Sequence, residues 1–254
     1  MPGTTDIGNH GDDTVTTISL PFPYTLYDQS FTSIKLSSNG NAQFTTMATD
    51  FTNICLPWLT HNYTVFPYWD DQRTDNLGWV GCTTYPGGTC GVFTSVSGTA
   101  PNRIFNIEWR AVYFANTSQQ ANHELRLYEG QLRFDVIYGT VSNGNTSATA
   151  GVQRDDTTFT QYFCNGAGGA AIGGQSYTQG PCLTPTPTPP PRVTTNAATN
   201  VTSSAATLNG TVNPNGQTTS VHFEYGTTTG YGFMTPGQSY TGNTMQTVSA
   251  TSPG

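Results

Sequence analysis

A proline tract at residues 184–191, Thr-Pro-Thr-Pro-Thr-Pro-Pro-Pro, limits what this chain can fold into more than any other feature. Proline has a fixed φ and no backbone N–H, so the tract cannot enter a helix interior or a central strand. Alternating Thr-Pro favours an extended polyproline II rod. The sequence therefore predicts two folding units, residues 1–182 and 193–254, joined by an extended linker at 183–192.

The first unit shows a hydrophobic period of two, which is typical of β-strands. Residues 16–26 and 31–36 alternate, and residues 103–114 are typical of one long strand. Asn39-Gly40 predicts a type I′ hairpin turn. No segment has the period of a long helix. We expect an all-β protein, with an antiparallel β-sandwich in the first unit and an incomplete immunoglobulin-like sandwich in the second.

Residues 124–138 predict two further strands around a turn at Glu129-Gly130. The side chains expected to point into the core are Leu125, Leu127, Leu132, Phe134 and Val136.

Charge excludes two classes of partner. Only 9% of the residues are charged, Lys35 is the single lysine and the net charge is −7. Such a surface has no basic stripe with which to bind nucleic acid or an anionic membrane. No run of 18 apolar residues predicts membrane insertion, and the N-terminus lacks the features of a signal peptide. We expect either a removed leader or a longer parent chain.

Five cysteines in a lysine-poor sequence favour an oxidising, extracellular location. Cys82 and Cys90 flank a Pro-Gly-Gly turn, which predicts a disulfide. Cys164 and Cys182 bracket a glycine-rich loop, and a disulfide there would stabilise the fold by about 3 kcal/mol. Cys55 is then left over, either as a small buried hydrophobe or as a reactive or intermolecular thiol.

Five short motifs fall in a characteristic order: Ile18-Ser-Leu-Pro-Phe-Pro-Tyr24, Ser37-Ser-Asn-Gly-Asn41, Phe66-Pro-Tyr-Trp-Asp-Asp71, Phe105-Asn-Ile-Glu-Trp109 and Leu127-Tyr-Glu-Gly130. Together they resemble the nidogen-like extracellular domain over residues 6–165. The similarity is greatest to bacterial surface versions in which this domain precedes a Thr-Pro tract. The resemblance implies a location outside the cell or at the bacterial cell surface.

The second unit resembles the immunoglobulin-like or fibronectin type III modules of bacterial surface proteins, through residues 206–215 and Phe223-Glu-Tyr-Gly226. Ala206, Leu208 and Val212 are predicted to share one face. A complete module takes about 100 residues, more than residues 193–254 supply. Two explanations stay open: a neighbouring copy completes the module, or the parent chain continues past Gly254.

Two groups of aspartates can supply oxygen ligands to calcium. The first contains Asp6, Asp12 and Asp13, and the second contains Asp70 and Asp71. The alternative is that they are solvated loop residues or caps, and the resemblance implies that Asp70 and Asp71 tie loop backbone. Calcium is the only cofactor that the sequence suggests.

No arrangement of residues predicts an enzyme. The histidines, His10, His61, His123 and His222, are far apart in sequence, and no nucleophile motif occurs. We therefore expect a protein without catalytic residues.

Glycosylation is a further prediction. Five asparagines begin Asn-x-Ser/Thr sequons: Asn62, Asn116, Asn145, Asn200 and Asn209. Thr184, Thr186 and Thr188 lie beside prolines, as O-glycosylated threonines of exposed stalks do. The alternative is that the sequons arise by chance in a threonine-rich chain.

The modular order predicts a structural subunit of a bacterial extracellular filament or surface layer. Copies of the chain would assemble head-to-tail by β-strand complementation. The alternative is a cell-surface adhesin that binds glycan or matrix through aromatic side chains. Candidates for that role are Tyr63, Trp69, Trp79 and Tyr85, which core positions would equally explain.

Overall fold

The computed structural model describes residues 3–59, 61–178 and 189–253. The chain divides into two compact units, Met1–Cys182 and Leu183–Gly254. The described residues form β-strands and two short 3₁₀ helices, Val80–Thr84 and Pro86–Gly88, and they contain no α-helix. Nor does this part of the chain contain a helix long and apolar enough to span a membrane. The predicted all-β fold is confirmed.

The strands of the first unit, in chain order, are β1 (Thr5–Asp6), β2 (Val15–Leu26), β3 (Gln29–Ser37), β4 (Ala42–Gln43), β5 (Thr64–Trp69), β6 (Gln72–Arg73), β7 (Gly91–Ser97), β8 (Ile104–Tyr113), β9 (Gln120–Tyr128), β10 (Arg133–Val141), β11 (Thr149–Asp155), β12 (Thr158–Cys164), β13 (Ala167–Gly168) and β14 (Gly174–Thr178). One sheet has the order β1-β7-β8-β9-β10-β14, with β6 also paired to β8. The other has the order β13-β12-β11-β5-β4-β3-β2. The pairings within both sheets are antiparallel.

The core of the first unit lies between these two sheets. Strands β8, β9 and β10 form a meander that turns Trp109, Leu125 and Phe134 inward, where they meet Tyr68 and Phe163 from the opposite sheet. All five side chains are fully buried. Of the residues predicted to face the core, Leu127 and Val136 are also buried, and Leu132 is half-buried in the turn. Period-two alternation therefore placed the strands and their inner faces correctly.

A turn forms at Asn39-Gly40, but the predicted turn type, I′, is wrong. The hairpin between β3 and β4 does form, but only Gly40 has a positive φ, whereas a type I′ turn needs two such residues. A Cβ on Gly40 would lie 2.0 Å from the Tyr68 carbonyl oxygen, so glycine permits a close backbone approach here. Asn39 is buried and serves as a hydrogen-bonding anchor for neighbouring loops.

The structure contains the predicted Cys82–Cys90 disulfide. The predicted pairing of Cys164 with Cys182 is wrong, because Cys164 bonds to Cys55. Cys182 itself lies outside the described residues. Thr149 lies opposite Cys164 in the sheet, and its hydroxyl donates to the Ile54 carbonyl at 2.9 Å. The hydrogen bond and the disulfide hold adjacent residues, Ile54 and Cys55, beside the β11–β12 pair.

The second unit contains β15 (Arg192–Thr199), β16 (Ala205–Asn213), β17 (Thr219–Val221), β18 (Glu224–Tyr225), β19 (Phe233–Met234), β20 (Gln238–Tyr240) and β21 (Gln246–Pro253). One sheet has the order β15-β16-β21, and two ribbons pair β17 with β20 and β18 with β19. Val212, Phe223 and Val248 are its buried hydrophobic residues among those described, whereas Ala206 and Leu208 are half-buried. The predicted linker lies largely outside the described residues, and β15 begins at its last residue, Arg192.

Candidate functional site

Three aspartates from the two predicted acidic groups meet at one place. Asp12, Asp13 and Asp71 each offer a carboxylate oxygen, and these oxygens all lie within 4.8 Å of one another. The sequence placed these residues in two separate candidate sites. The fold combines part of each into one acidic cluster.

Hydrogen bonds from Asn39 hold the two sides of the acidic cluster together. Its amide nitrogen donates to Asp13 Oδ1 at 2.8 Å, and its amide oxygen accepts the backbone N–H of Gln72, next to Asp71, at 3.0 Å. Asp12 also forms an isolated β-bridge with Arg73. The loop before β2 and the loop before β6 are thereby fixed against each other. The Asn39-Gly40 pair predicted only a turn, so the sequence contained no sign that the Asn39 side chain positions the acidic cluster.

Electrostatics within the acidic cluster disfavours three ionised carboxylates. Burial, together with the neighbouring Asp12 and Asp13, raises the pKa of Asp71 to about 6. Burial also raises the pKa of Asp12, although the Arg73 guanidinium acts in the opposite direction. Close like charges raise carboxyl pKa values because each ionised group penalises the next. A bound cation would relieve this repulsion.

The donor set of the acidic cluster suits a hard cation. Carboxylate oxygens are the ligands that calcium takes, and loops are where proteins place such sites. The cleft has a volume of about 70 Å³, and Phe51 and Phe114 complete its lining. These two rings are half-exposed, and no sequence motif marked them. Calcium binding by Asp12, Asp13 and Asp71 remains a prediction.

Asp6 and Asp70 do not join the acidic cluster. Asp6 accepts hydrogen bonds from the Gly8 backbone N–H at 2.8 Å and pairs with His10 at 2.7 Å. Asp70 accepts from the Ser147 hydroxyl at 2.7 Å and from the Asp71 backbone N–H at 2.9 Å. Both carboxylates therefore tie loop backbone or side chains, which is the alternative reading of the sequence.

The aromatic residues considered for glycan binding are poorly placed for it. Trp69 and Tyr85 are buried, and Tyr63 and Trp79 are half-buried. Trp69 stacks on Trp58 with ring centroids 4.3 Å apart, inside a small aromatic core. The core explanation of these side chains is the one that the fold supports.

The five sequon asparagines have different environments. Asn62, Asn116 and Asn200 are exposed, and Asn145 and Asn209 are half-buried. Thr184, Thr186 and Thr188, the predicted O-glycosylation sites, lie outside the described residues.

An open groove lies within the second unit. It has a volume of about 510 Å³ and runs between β16, through Ala206 and Leu208, and the β18–β19 ribbon, through Tyr225 and Phe233. None of its lining residues is charged. Phe233 is 65% exposed. This uncharged, partly apolar groove lies between the β15-β16-β21 sheet and the β18–β19 ribbon.

Comparison with known proteins identifies the family. A family model described as NIDO related matches residues 1–223, a range longer than the nidogen-like resemblance over residues 6–165. Comparisons with curated proteins and with solved structures find no match. The matched range includes the five motifs of the first unit and both disulfides, and on this match the chain belongs to the NIDO-related family.

Proposed function

We propose that this chain is a structural subunit of a bacterial extracellular filament or surface layer, in which copies assemble by β-strand complementation. The observation that carries the proposal is the open groove of the second unit. The two disulfides and the nidogen-like family support an extracellular location, because disulfides persist in oxidising compartments.

The groove has the properties of an acceptor for a strand. Among the described residues, β17 pairs only with β20 and β18 only with β19, so each has an edge with no partner strand. A strand added at the free edge of β18 would extend the β18–β19 ribbon, and its alternate side chains would face the groove that Leu208 and Phe233 line. Because no lining residue is charged, burial of an uncharged donor strand leaves no unpaired charge. We propose that the donor is an extended segment of a neighbouring copy.

The edge strand β15 supports the same proposal. Its eight residues are all exposed, contain no proline and carry one charge, at Arg192. Natural proteins usually protect long edges with prolines, bulges or charges, since unprotected edges pair with other chains. The pairing of β15 with β16 shifts register between Asn196 and Thr199, so the regular part of this edge is residues 192–196. A regular, proline-free edge suits a protein whose sheets continue from one subunit to the next. A head-to-tail contact between an acceptor and a donor on different surfaces propagates without closing.

Sedimentation velocity and electron microscopy of the full chain at increasing concentration test the proposal. We expect concentration-dependent polymers in the wild type. Phe233→Asp should abolish them, because it places a charge in the groove. Met234→Asp is the matched control: Met234 is adjacent on β19 and 60% exposed, but it does not line the groove.

The proposal fails if the full chain remains monomeric at high concentration. It also fails if Phe233→Asp polymerises as well as Met234→Asp, because assembly would then use another surface. Circular dichroism of both variants checks that their β-structure is retained.

A further inference from the structure

The structure assigns Asn116 as the acceptor for an N-linked glycan in the folded protein, a site that is independent of the proposed assembly. Asn116 lies in the loop between β8 and β9, in the sequon Asn116-Thr117-Ser118. Both Asn116 and Ser118 are exposed. Among the five sequons, this one has three properties together. The asparagine is exposed, its amide nitrogen makes no hydrogen bond to the described residues, and the hydroxyl two residues later contacts the asparagine.

The local geometry presents the Asn116 carboxamide to solvent. Its Oδ1 accepts the Ser118 backbone N–H at 3.2 Å and the Ser118 hydroxyl at 2.7 Å. Nδ2 makes no hydrogen bond to the described residues. Backbone bonds from Asn116 to Tyr113 at 3.2 Å and from Gln119 to Asn116 at 3.0 Å hold the turn. The turn therefore holds the amide oxygen against Ser118 and leaves the NH₂ group without a hydrogen bond to the described residues.

Three sequons use the amide nitrogen in the fold, and two of them, at Asn145 and Asn209, have a half-buried asparagine. Asn145 Nδ2 donates to the Gly169 carbonyl at 2.6 Å, and its +2 residue, Ser147, donates its hydroxyl to Asp70. Asn209 lies within β16, and its Nδ2 contacts three oxygens between 3.0 and 3.2 Å. A glycan at either position would break these bonds, each worth about 1 kcal/mol.

The other two sequons present only part of the acceptor. Asn62 is exposed, but its +2 residue, Thr64, is fully buried. Asn200 donates from Nδ2 to Thr207 at 3.3 Å, and its +2 hydroxyl, on Thr202, donates to the Ala205 carbonyl at 3.1 Å. Asn116 is thus the sequon that the fold leaves ready for an enzyme.

The chemistry is a glycosyl transfer from a lipid pyrophosphate-linked oligosaccharide, catalysed by an oligosaccharyltransferase. Nδ2 forms a bond to C1 of the first sugar, and the bond between C1 and the phosphate oxygen breaks. The lipid pyrophosphate leaves with that electron pair, and one amide proton passes to a base of the transferase. The Ser118 hydroxyl, which donates to Oδ1 at 2.7 Å, holds the carboxamide with its NH₂ group directed away from Ser118.

The test uses the purified, folded full chain with a sequon-specific oligosaccharyltransferase and a lipid pyrophosphate-linked heptasaccharide. Peptide mass spectrometry measures the occupancy of each sequon. We expect occupancy at Asn116 at least ten-fold above each of the other four, and a ratio near one when the chain is unfolded in urea. Ser118→Ala should abolish occupancy at Asn116, Ser118→Thr should restore it, and Asn62→Gln should leave it unchanged.

Three outcomes would overturn the assignment. One is higher occupancy at another sequon of the folded chain, and another is no occupancy at Asn116 in either folded or unfolded chain. The third is occupancy at Asn116 only after unfolding, which would mean that the fold hides this amide.

Discussion

The first unit encloses an aromatic core between two sheets, whereas the second unit leaves much of its apolar surface in solvent. In the first unit Trp109, Tyr68 and Phe134 are completely buried. In the second unit Phe233 and Val193 are 65% and 63% exposed. The hydrophobic effect scales with the apolar area removed from water, so the second unit gains less stability for each residue that it orders. The first unit therefore buries its own aromatic core, whereas the second unit leaves apolar side chains exposed, as the proposed assembly requires.

The sheet edges differ in the same way. The longest edge strand of the first unit, β2, contains Pro21 and Pro23, and its pairing with β3 shifts register between Ser19 and Tyr24. Proline cannot donate to an added strand, and an irregular edge resists pairing. The eight-residue edge of β15 contains no proline, although its pairing with β16 also shifts register, between Asn196 and Thr199. The two prolines of β2 hinder strand addition at that edge, whereas residues 192–196 of β15 form a regular, proline-free edge of the kind that the proposed assembly requires.

The largest effect that tests this comparison is expected from Trp109→Ala. Trp109 is fully buried, stacks on His123 and donates from its indole N–H to the Ser37 carbonyl at 2.8 Å. Truncating such a side chain leaves a cavity, and we expect the free energy of unfolding of the first unit to fall by about 3–5 kcal/mol. Urea unfolding followed by tryptophan fluorescence measures it, because all four tryptophans lie in the first unit.

Phe223→Ala is the matched control for this experiment. Phe223 is a buried aromatic residue of the second unit, so its truncation should leave the tryptophan-detected transition of the first unit unchanged. If Phe223→Ala lowers the urea midpoint of that transition as much as Trp109→Ala does, the first unit does not unfold independently of the second. That result would contradict the contrast between the two units.

The second effect concerns the Cys55–Cys164 disulfide, which joins residues 109 apart in sequence. Replacing both cysteines by alanine should lower the stability of the first unit by about 2–4 kcal/mol, because the unfolded chain regains the entropy of a long loop. The Cys82→Ala/Cys90→Ala double variant should cost less, since that bond spans a separation of only 8. Urea midpoints of oxidised and reduced protein measure both effects.

Cys182→Ala decides between the two pairings of Cys164. With a Cys55–Cys164 bond, this variant should unfold at the wild-type urea midpoint and respond to reductant as the wild type does. A loss of stability equal to that of Cys164→Ala would instead restore the pairing that the sequence predicted.

Local pattern was enough to predict most of the first unit. Alternation identified the strands around residues 16–36 and 103–138, and Pro-Gly-Gly identified the Cys82–Cys90 bond. These features depend on residues close in sequence. The five ordered motifs also identified the nidogen-like family, which the NIDO-related match supports over residues 1–223.

What the sequence could not predict depends on contacts between distant segments. Cys55 bonds to Cys164 across 109 residues, in a place where Thr149 also donates a hydrogen bond to the Ile54 carbonyl. Asp71 lies beside Asp12 and Asp13 where Asn39 and the Asp12–Arg73 bridge tie their loops together. No periodicity encodes either contact, since each one requires the packed sandwich before the side chains can meet.

The smallest effect is expected from Asp71→Asn. This variant tests whether repulsion among the carboxylates of the acidic cluster lowers the stability of the first unit. Its pKa is raised to about 6 in the fold, above an unfolded value of about 3.9. Between these values the folded state binds more protons, so the contribution of Asp71 to stability falls as pH rises from 4 to 6. Asparagine removes the charge, and the Asp71 side chain makes no hydrogen bond to the described residues that the change would break.

We therefore expect Asp71→Asn to stabilise the first unit at pH 7.5 in the presence of chelator, by less than about 1 kcal/mol because water screens the half-exposed group. At pH 4 the variant and the wild type should unfold at the same urea midpoint. Asp50→Asn, at an exposed position outside the acidic cluster, removes the same charge and should have no effect at either pH. At pH 7.5, millimolar calcium should make the wild type more stable than Asp71→Asn, since a bound cation stabilises only the protein that retains three carboxylates. If Asp71→Asn is less stable than the wild type in chelator, the ionised Asp71 side chain stabilises the fold. The acidic cluster would then contain no net repulsion for a cation to relieve.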